Sequence, residues 1–239
     1  MIEDLLPRSV VAVEAYGGEV DGVPGEAVLY PEEEALVARA VAKRRREFTL
    51  VRSCARRAME KLGVPPQPVL PGERGAPTWP QGLTGSMTHC EGYCAAALVR
   101  AADLASLGID AEPHDRLPEG VLSAVALPAE AERLERLAAE RPQVHWDRLL
   151  FSAKESVYKA WFPLTRLWLD FSEADIEITP APGAAPGVPP HGTLHARLLV
   201  PGPVVGGHRV DRFEGRWTVR RGLVATAITV PHAQPAPAP

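Results

Sequence analysis

The sequence has few cysteines, no long apolar run and no excess of positive charge. Its three cysteines, Cys54, Cys90 and Cys94, are odd in number and lack a disulfide framework, which is typical of a reducing compartment. No apolar run approaches the ~20 residues of a membrane span. The start, MIEDLLPRSV, is acidic where a signal peptide would be basic. These absences predict a cytoplasmic protein without a membrane partner.

The balance of charge limits the possible partners. The 26 lysine and arginine residues are outnumbered by 30 aspartate and glutamate residues, which gives a net charge of −4 and a pI near 6.0. Because nucleic-acid-binding domains are usually basic, any phosphate-binding surface on this chain must be local. The composition, 46% hydrophobic and 23% charged, is that of a globular protein, and 239 residues suffice for one large or two small domains.

Apolar periodicity and turn signals predict helices that alternate with short strands. The segment PEEE predicts the start of a helix over residues 31 to 62, which can break once. Further helices are expected over residues 118–140 and 146–162, the latter ended by Pro163. Loops are expected over residues 63–85 and 180–192, and strands over residues 9–16, 25–30, 93–99, 104–111, 175–179, 193–200, 216–220 and 223–230.

Two similar segments indicate an internal repeat. YCAAALV, residues 93 to 99, is echoed by LVATAITV, residues 223 to 230, and each half also contains helices. This pattern predicts an α+β fold that is duplicated within the chain. The tail PHAQPAPAP, residues 231 to 239, cannot build a core and is expected to be disordered.

The segment SLGIDAEPHD places two acids at the end of an expected strand. Alternate strand residues share a face, so the carboxylates of Asp110 and Glu112 should lie together. Like charges at that distance repel unless a cation or a shared proton intervenes. The pair therefore indicates a cationic ligand, although a solvated pair of acids at a strand end is the simpler alternative.

A second constellation lies in FSAKESVYKAWFP. On a helix Phe151, Glu155, Tyr158 and Phe162 form one stripe, so a carboxylate falls on a face expected to be buried, with Lys159 one turn further on. The alternative is an exposed Glu155–Lys159 pair worth only ~0.3 kcal/mol. If Glu155 joins the two strand acids, the all-oxygen ligand set suits magnesium, and magnesium beside a lysine suits phosphoryl transfer.

Basic residues follow two segments of the first half. In AKRRREFTLVRSCARRAMEK, Arg44 shares a stripe with apolar residues and is expected to face the protein, with Arg52 nearby, and an inward guanidinium favours phosphate. Nucleic acid is the rival ligand for this helix. In the loop before the strand at 93, Arg74, Ser86 and His89 offer donors to a ligand. His89 with Cys90 and Cys94 is a poor match to zinc spacings, so both cysteines are interpreted as packing residues.

Taken together, GSMTHC, GIDAEPHD and, about forty residues later, FSAKESVYKAWFP resemble the surfactin-type 4′-phosphopantetheinyl transferases. The resemblance covers roughly residues 30 to 172 and is closest to the subgroup of enterobactin synthetase component D and its actinobacterial relatives. It implies transfer of the 4′-phosphopantetheine arm of coenzyme A to a serine of an acyl or peptidyl carrier protein, with release of 3′,5′-adenosine bisphosphate. It also implies a monomer whose two halves form a pseudo-dimer around coenzyme A.

The resemblance also implies roles for individual residues. Asp110, Glu112 and Glu155 would hold magnesium on the coenzyme A pyrophosphate. Glu155, or a water on the metal, would accept the serine proton, and Lys159 would meet the charge on the leaving phosphate. The remaining contacts to coenzyme A would come from His89 at a phosphate, Arg44, Arg52 and Arg74 around the 3′-phosphate, Ser86 at the adenine and Lys154 at the pyrophosphate.

The same resemblance divides the chain into two halves. Residues 1–105 would supply the phosphate and adenine contacts, and residues 106–230 the magnesium ligands and catalytic groups. Some relatives carry a third acid between the two strand carboxylates, where this sequence has Ala111. Two other functions compete with carrier modification: a nucleic-acid-binding module that uses residues 43–57, and a magnesium-dependent hydrolase of nucleotide pyrophosphates that uses the same acids.

Overall fold

A computed structural model describes residues 1–17, 19–20, 28–182 and 187–232, which form two antiparallel sheets with a long helix packed on each. The four-stranded sheet of the first half has the order β2-β1-β4-β3. Its elements are β1 (Val11–Tyr16), β2 (Glu19–Val20), α1 (Pro31–Val37), α2 (Ala42–Lys61), β3 (Leu83–Cys90) and β4 (Tyr93–Arg100).

The second half contains a five-stranded sheet with the order β5-β11-β10-β7-β6. Two short strands, β8 and β9, form a separate hairpin. The elements are β5 (Ser106–Pro113), α3 (Val121–Val125), α4 (Pro128–Glu140), α5 (Trp146–Thr165), β6 (Ala174–Pro180), β7 (His191–Leu198), β8 (Val204–Val205), β9 (His208–Arg209), β10 (Arg212–Arg220) and β11 (Leu223–Val230).

The two halves repeat one topology. In each half the first strand pairs with the last strand, and the last strand pairs with its hairpin partner, giving β1-β4-β3 and β5-β11-β10. The echoed segments YCAAALV and LVATAITV lie in β4 and β11, which hold equivalent places. The fold is therefore α+β and duplicated within the chain, as the echo predicted.

A pair of buried glutamates repeats in the same way. Glu33 in the first turn of α1 and Glu130 in the first turn of α4 each accept a bond from the backbone at their own helix start. Each also accepts a backbone N–H from a distant segment, and each pairs with a cation of the long helix: Arg56 of α2 at 2.8 Å and Lys154 of α5 at 2.9 Å. The shared arrangement fixes a short helix to a long helix in both halves.

Small residues in the last strand of each half have a packing reason. Ala95 and Ala97 of β4 pack with Ala225 and Ala227 of β11 in the core between the two sheets. The opposite face of β4, which includes Ala96, packs against α2. Because these strands are covered on both faces, they read as continuous apolar runs of mostly small residues.

The structure corrects several predictions of secondary structure. The helix expected over residues 118–140 is two helices, because Pro128 starts a new one. Pro163 lies inside α5, which continues to Thr165. Residues 83 to 90, expected to be partly loop, form β3, and residues 28–30 are not a strand. The break in the first long helix is confirmed between α1 and α2. Residues 25–27 and 233–239 of the expected strand and tail lie outside the described residues.

Among the described residues, no helix is long and apolar enough to cross a membrane. Cys54, Cys90 and Cys94 are not joined in disulfides, and Cys54 and Cys94 are buried. Cys94 packs in the core of the first half and Cys90 against the core between the sheets, as expected of packing residues.

Candidate active site

A cleft of about 580 Å³ lies between the two halves. Its walls are the start of α2, the loop before β3, β3 itself and one face of α5. The structure brings together here most of the residues singled out from the sequence: Arg44, Arg52, Arg74, Ser86 and His89 from the first half, and Glu155 and Lys159 from the second. Cationic groups therefore line one side of the cleft, and a carboxylate and an ammonium line the other.

Helix α5 presents Glu155 and Lys159 to the cleft because its other face forms the core. Leu149, Leu150 and Ala153 are fully buried against the sheet, whereas Glu155 is half-buried. The stripe that contains Glu155 therefore faces the cleft rather than the core. Lys159 bonds to Asp110, so the alternative of a simple exposed Glu155–Lys159 pair does not describe the site.

Asp110 is buried at the centre of the site and is held on one side only. Its Oδ1 accepts bonds from Lys159 Nζ at 2.7 Å and from Thr88 Oγ1 at 3.1 Å. Its Oδ2 is buried and has no hydrogen-bond partner among the described residues. A buried carboxylate oxygen without a partner is costly, so this atom indicates a position for a further donor or a cation.

The other two acids carry raised pKa values. Burial raises the pKa of Glu112, and the nearby Asp110 charge raises it further, while Arg148 opposes both effects from 3.1 Å. Burial also raises the pKa of Glu155, with Asp110 adding to the effect and Lys159 opposing it. Each acid is thus destabilised as an anion by the same neighbour, Asp110, and a cation near the three would relieve that repulsion.

The donor set suits magnesium, although the described residues hold no preformed metal centre. In the described ranges, no three His, Cys, Asp or Glu side chains are arranged to hold a metal ion. Asp110 and Glu112 instead bond to Lys159 and Arg148. The unpartnered Asp110 Oδ2 and the exclusively oxygen ligands nevertheless fit a hard cation such as Mg²⁺.

The position of Arg44 corrects one prediction. Arg44 is exposed rather than turned toward the core, because it lies in the first turn of α2, one turn before Phe48, the first buried residue of its stripe. It still lines the cleft, and its Nη1 lies 2.6 Å from His89 Nε2. Since a guanidinium only donates, Nε2 accepts and the ring is neutral. Burial and then Arg44 lower the pKa of His89.

Arg52 and Arg74 occupy different depths of the same cleft. Arg52 is buried, donates through Nε to the Val69 carbonyl at 3.1 Å and stacks 3.2 Å above the Phe48 ring centre. Burial lowers its pKa to about 10, so it remains charged at neutral pH. Arg74 is exposed, lies 5.6 Å from the Trp168 ring and has a φ of 52°. The Arg52 guanidinium is therefore held in place, whereas the Arg74 guanidinium lies at the surface.

Ser86 and Lys154 have structural partners. Ser86 lines the cleft, and its Oγ accepts the Ile109 N–H at 3.0 Å. Lys154, expected near a pyrophosphate, does not line this cleft. Its buried ammonium bonds to Glu130 and to the Phe171 and Ala174 carbonyls, because the helix turns this side chain toward β6.

Arg148 lies beside the acids but was not predicted from the sequence. Arg148 donates to Glu112 Oε2 and to the backbone carbonyls of Asp115 and Arg116, so it ties α5 to the end of β5. It precedes Glu155 by seven residues and thus lies on the same helix face two turns earlier. The seven-residue spacing between Arg148 and Glu155 could have indicated from the sequence that Arg148 lies near the acids.

Comparisons with known proteins identify the family of the chain. Residues 32–99 match the model of the 4′-phosphopantetheinyl transferase N-terminal domain, and residues 106–199 match that of the 4′-phosphopantetheinyl transferase superfamily. The chain is 59% identical to 4′-phosphopantetheinyl transferase Svp of Streptomyces mobaraensis, over 96% of this chain and 89% of that protein. It is 47% identical to 4′-phosphopantetheinyl transferase PptT of Mycobacterium tuberculosis, over 96% and 98%.

A more distant relative agrees as well. Enterobactin synthase component D of Salmonella typhimurium is 32% identical over 82% of this chain and 78% of its own length. One family match falls on each half of the fold, and together the matches cover the cleft and all three acids. The chain therefore belongs to the 4′-phosphopantetheinyl transferase superfamily.

Proposed function

We propose that this protein transfers the 4′-phosphopantetheine group of coenzyme A to a serine of an acyl or peptidyl carrier protein and releases 3′,5′-adenosine bisphosphate. The observation that carries the proposal is the meeting of Asp110, Glu155 and Lys159 at one end of a cleft whose other wall is cationic. The names of relatives at 47–59% identity over most of the chain support it.

The cationic wall suits the nucleotide end of coenzyme A. Arg44, Arg52 and Arg74 offer guanidinium groups to phosphates, which they match in charge and geometry. His89 adds a donor once Arg44 turns toward a phosphate. The apolar parts of the cleft, such as Phe48 and Trp79, are available to the adenine ring. We place the 3′-phosphate and adenine at this end.

Asp110, Glu112 and Glu155 are the residues that would hold magnesium. The bound ion would neutralise the charge of the pyrophosphate oxygens. Two features of the chain support the assignment: the partnerless Oδ2 of Asp110 and the raised pKa values of Glu112 and Glu155. All three acids belong to the second half, so we assign catalysis to residues 106–230 and much of the nucleotide recognition to residues 1–105.

Glu155 and Lys159 supply the proton chemistry. Glu155 lines the cleft beside Lys159, and we assign its carboxylate to the proton of the carrier serine. The serine oxygen forms a bond to the phosphorus that carries pantetheine, and the bond from that phosphorus to the bridging oxygen breaks. Lys159 donates to the oxygen that leaves with the adenosine bisphosphate.

The pantetheine arm requires space beyond the acids. A smaller cavity of about 130 Å³ adjoins Glu155 and is lined by the aromatic residues Tyr158, Trp168 and Phe171 and by the charged residues Lys154 and Asp170. It lies next to the reacting carboxylate, so an arm that extends from the pyrophosphate can enter it. We assign the arm to this cavity.

We also propose that the protein acts as a cytoplasmic monomer.

The basic helix provides little support for the nucleic-acid alternative. Within residues 43–57, Arg45 pairs with Glu34, Arg56 with Glu33, and Arg57 with Glu60. These acids neutralise cations that a phosphate backbone would need.

The hydrolase alternative uses the same acids. The products formed with and without a carrier protein distinguish hydrolysis from transfer. Purified protein is incubated with coenzyme A and Mg²⁺, with and without apo acyl carrier protein, and release of adenosine bisphosphate is followed by liquid chromatography. A transferase releases it only when the carrier is present and in equal amount to modified carrier. Release at the same rate without the carrier would establish hydrolysis instead.

A further inference from the structure

Strands β3 and β5 lie side by side, yet they belong to different sheets. Two hydroxyls of β3 take the place of a backbone ladder between them. Ser86 Oγ accepts the Ile109 N–H at 3.0 Å, and Thr88 Oγ1 accepts the Ala111 N–H at 3.1 Å. Alternate strand residues share a face, so both hydroxyls point across the junction between the halves. They satisfy backbone donors that would otherwise be buried without partners.

Thr88 differs from Ser86 in a second contact. Because its oxygen accepts from Ala111, its own hydrogen is free to donate, and Asp110 Oδ1 lies 3.1 Å away. Thr88 and Asp110 are both almost fully buried, at 3% and 4% exposure. A threonine is restricted at χ1, which limits the directions in which this hydroxyl can point. The contact therefore fixes one oxygen of the carboxylate.

The other oxygen is the partnerless Oδ2. We propose that Thr88 is a positioning residue for Asp110: it holds Oδ1, together with Lys159, so that Oδ2 remains available to the metal ion. This inference rests on the proposed function, which assigns Asp110 to magnesium. It means that the first half of the chain, which contributes none of the acids, orients the acid at the centre of the site.

The test measures metal binding rather than turnover. Mn²⁺ is titrated into the full chain with coenzyme A present and no carrier, and free Mn²⁺ is followed by electron paramagnetic resonance. Thr88→Val keeps the shape and removes the hydroxyl, whereas Thr88→Ser keeps the hydroxyl. Loss of an outer partner of a metal ligand typically weakens binding by about 10- to 100-fold. We expect about a tenfold or greater loss for Thr88→Val and at most about a threefold loss for Thr88→Ser.

Ser106→Ala is the matched control for stability. Ser106 lies at the other end of β5 and donates to the Ala160 carbonyl of α5 at 2.7 Å, so its removal also deletes a buried hydroxyl bond of β5. We expect a lower Tm with unchanged Mn²⁺ affinity. If Thr88→Val does not fold, Thr88→Ala replaces it, because the space it opens admits a water to the Ala111 N–H.

The possible results separate the two claims. A Thr88→Val or Thr88→Ala variant that loses Tm like the control but keeps wild-type Mn²⁺ affinity would show that Thr88 only joins the halves, and the inference would be overturned. A wild-type chain that does not bind Mn²⁺ with coenzyme A would overturn the assignment of Asp110 to a metal, and with it this inference. Weakened binding that Thr88→Ser restores would support it.

Discussion

Lys159 Nζ lies 2.7 Å from Asp110 Oδ1 and 3.2 Å from the Ile109 carbonyl, so one ammonium connects α5 to β5 beside the cleft. The same ammonium lowers the cost of burying Asp110 and faces the position proposed for the leaving phosphate. Its two contacts hold the Lys159 ammonium beside the acids, so its removal should affect catalysis strongly.

Replacing Lys159 by alanine should lower kcat by about 100-fold or more, because a positioned charge on the leaving oxygen is lost. The KM for coenzyme A should change far less, because Arg44, Arg52 and Arg74 still line the cleft. Steady-state kinetics with an apo carrier measures both. Lys61→Ala, which alters an exposed lysine at the end of α2, is the matched control. A Lys159→Ala enzyme within about threefold of the Lys61→Ala enzyme would remove Lys159 from the mechanism.

Replacing Glu155 by glutamine should abolish transfer and stabilise the metal-free fold at neutral pH. Burial raises the pKa of Glu155 in the folded chain above the ordinary value of 4.5, so the folded chain binds this proton more tightly than the unfolded chain does. The ionised acid therefore costs stability, and the cost grows as pH rises from 4.5 through the raised pKa.

Thermal unfolding of both proteins in EDTA at several pH values checks this prediction. The Tm gain from Glu155→Gln should be largest at pH 7 and should disappear as the pH falls below 4.5, where the wild-type acid becomes protonated in both states. For a chain of this size about 1 kcal/mol corresponds to a shift of about 2–4 °C. A variant less stable than the wild type at pH 7 would contradict the origin given for the raised pKa.

Gly108 allows α5 to approach β5 closely. A Cβ at this position would lie 2.0 Å from the Ser156 carbonyl oxygen and 2.7 Å from the Ala160 nitrogen. Gly108→Ala should therefore displace α5, destabilise the fold by about 1–3 kcal/mol and reduce the activity of the folded fraction. Denaturant unfolding and kcat are measured on the same samples.

Gly215→Ala provides the comparison, because a Cβ there would meet the Ala227 carbonyl at 2.4 Å on β11 rather than α5. It should cost stability with a smaller loss of kcat. Equal losses of kcat in the two variants would show that the spacing of α5 and β5 does not determine the geometry of the active site.

Removing the buried partner of Glu130 should be strongly destabilising. Lys154 and Glu130 are each about 1% exposed, so Lys154→Met leaves a buried carboxylate without a counter-charge and should cost about 3–5 kcal/mol. The double variant Lys154→Met with Glu130→Gln removes both charges and should recover most of that loss. Urea unfolding measures all three proteins. A Lys154→Met variant within about 1 kcal/mol of the wild type would refute the structural role.

The sequence was sufficient to predict the features that depend on local periodicity. The spacing of Asp110 and Glu112 placed both acids on one strand, and the stripe through Glu155 grouped residues of one face of α5, although that face lines the cleft rather than the core. The similarity of YCAAALV and LVATAITV was also informative, because strands covered on both faces by the same architecture require the same small residues.

Features that depend on tertiary partners could not be predicted in this way. Lys154 points away from the cleft only because Glu130, contributed by another helix, is buried beside it. Arg44 is exposed because α2 begins only at Ala42, which leaves Arg44 in the first turn, ahead of the buried part of the stripe that starts at Phe48. Strand β3 was not predicted, because its glycine and serine residues are typical of a loop. Its stability comes instead from pairing with β4 and from hydroxyl bonds to β5.

The most direct test of the central claim is the intact mass of an apo carrier protein after incubation with this protein, coenzyme A and Mg²⁺. Samples with EDTA and with the Glu155→Gln variant are measured in parallel, after the fold of the variant has been verified. We predict that the carrier gains one phosphopantetheine with the wild-type protein and none in the other two samples. Equal modification by wild type and variant would contradict the role of the carboxylate site, and an unmodified carrier with the wild-type protein across several acyl and peptidyl carriers would contradict the transferase function.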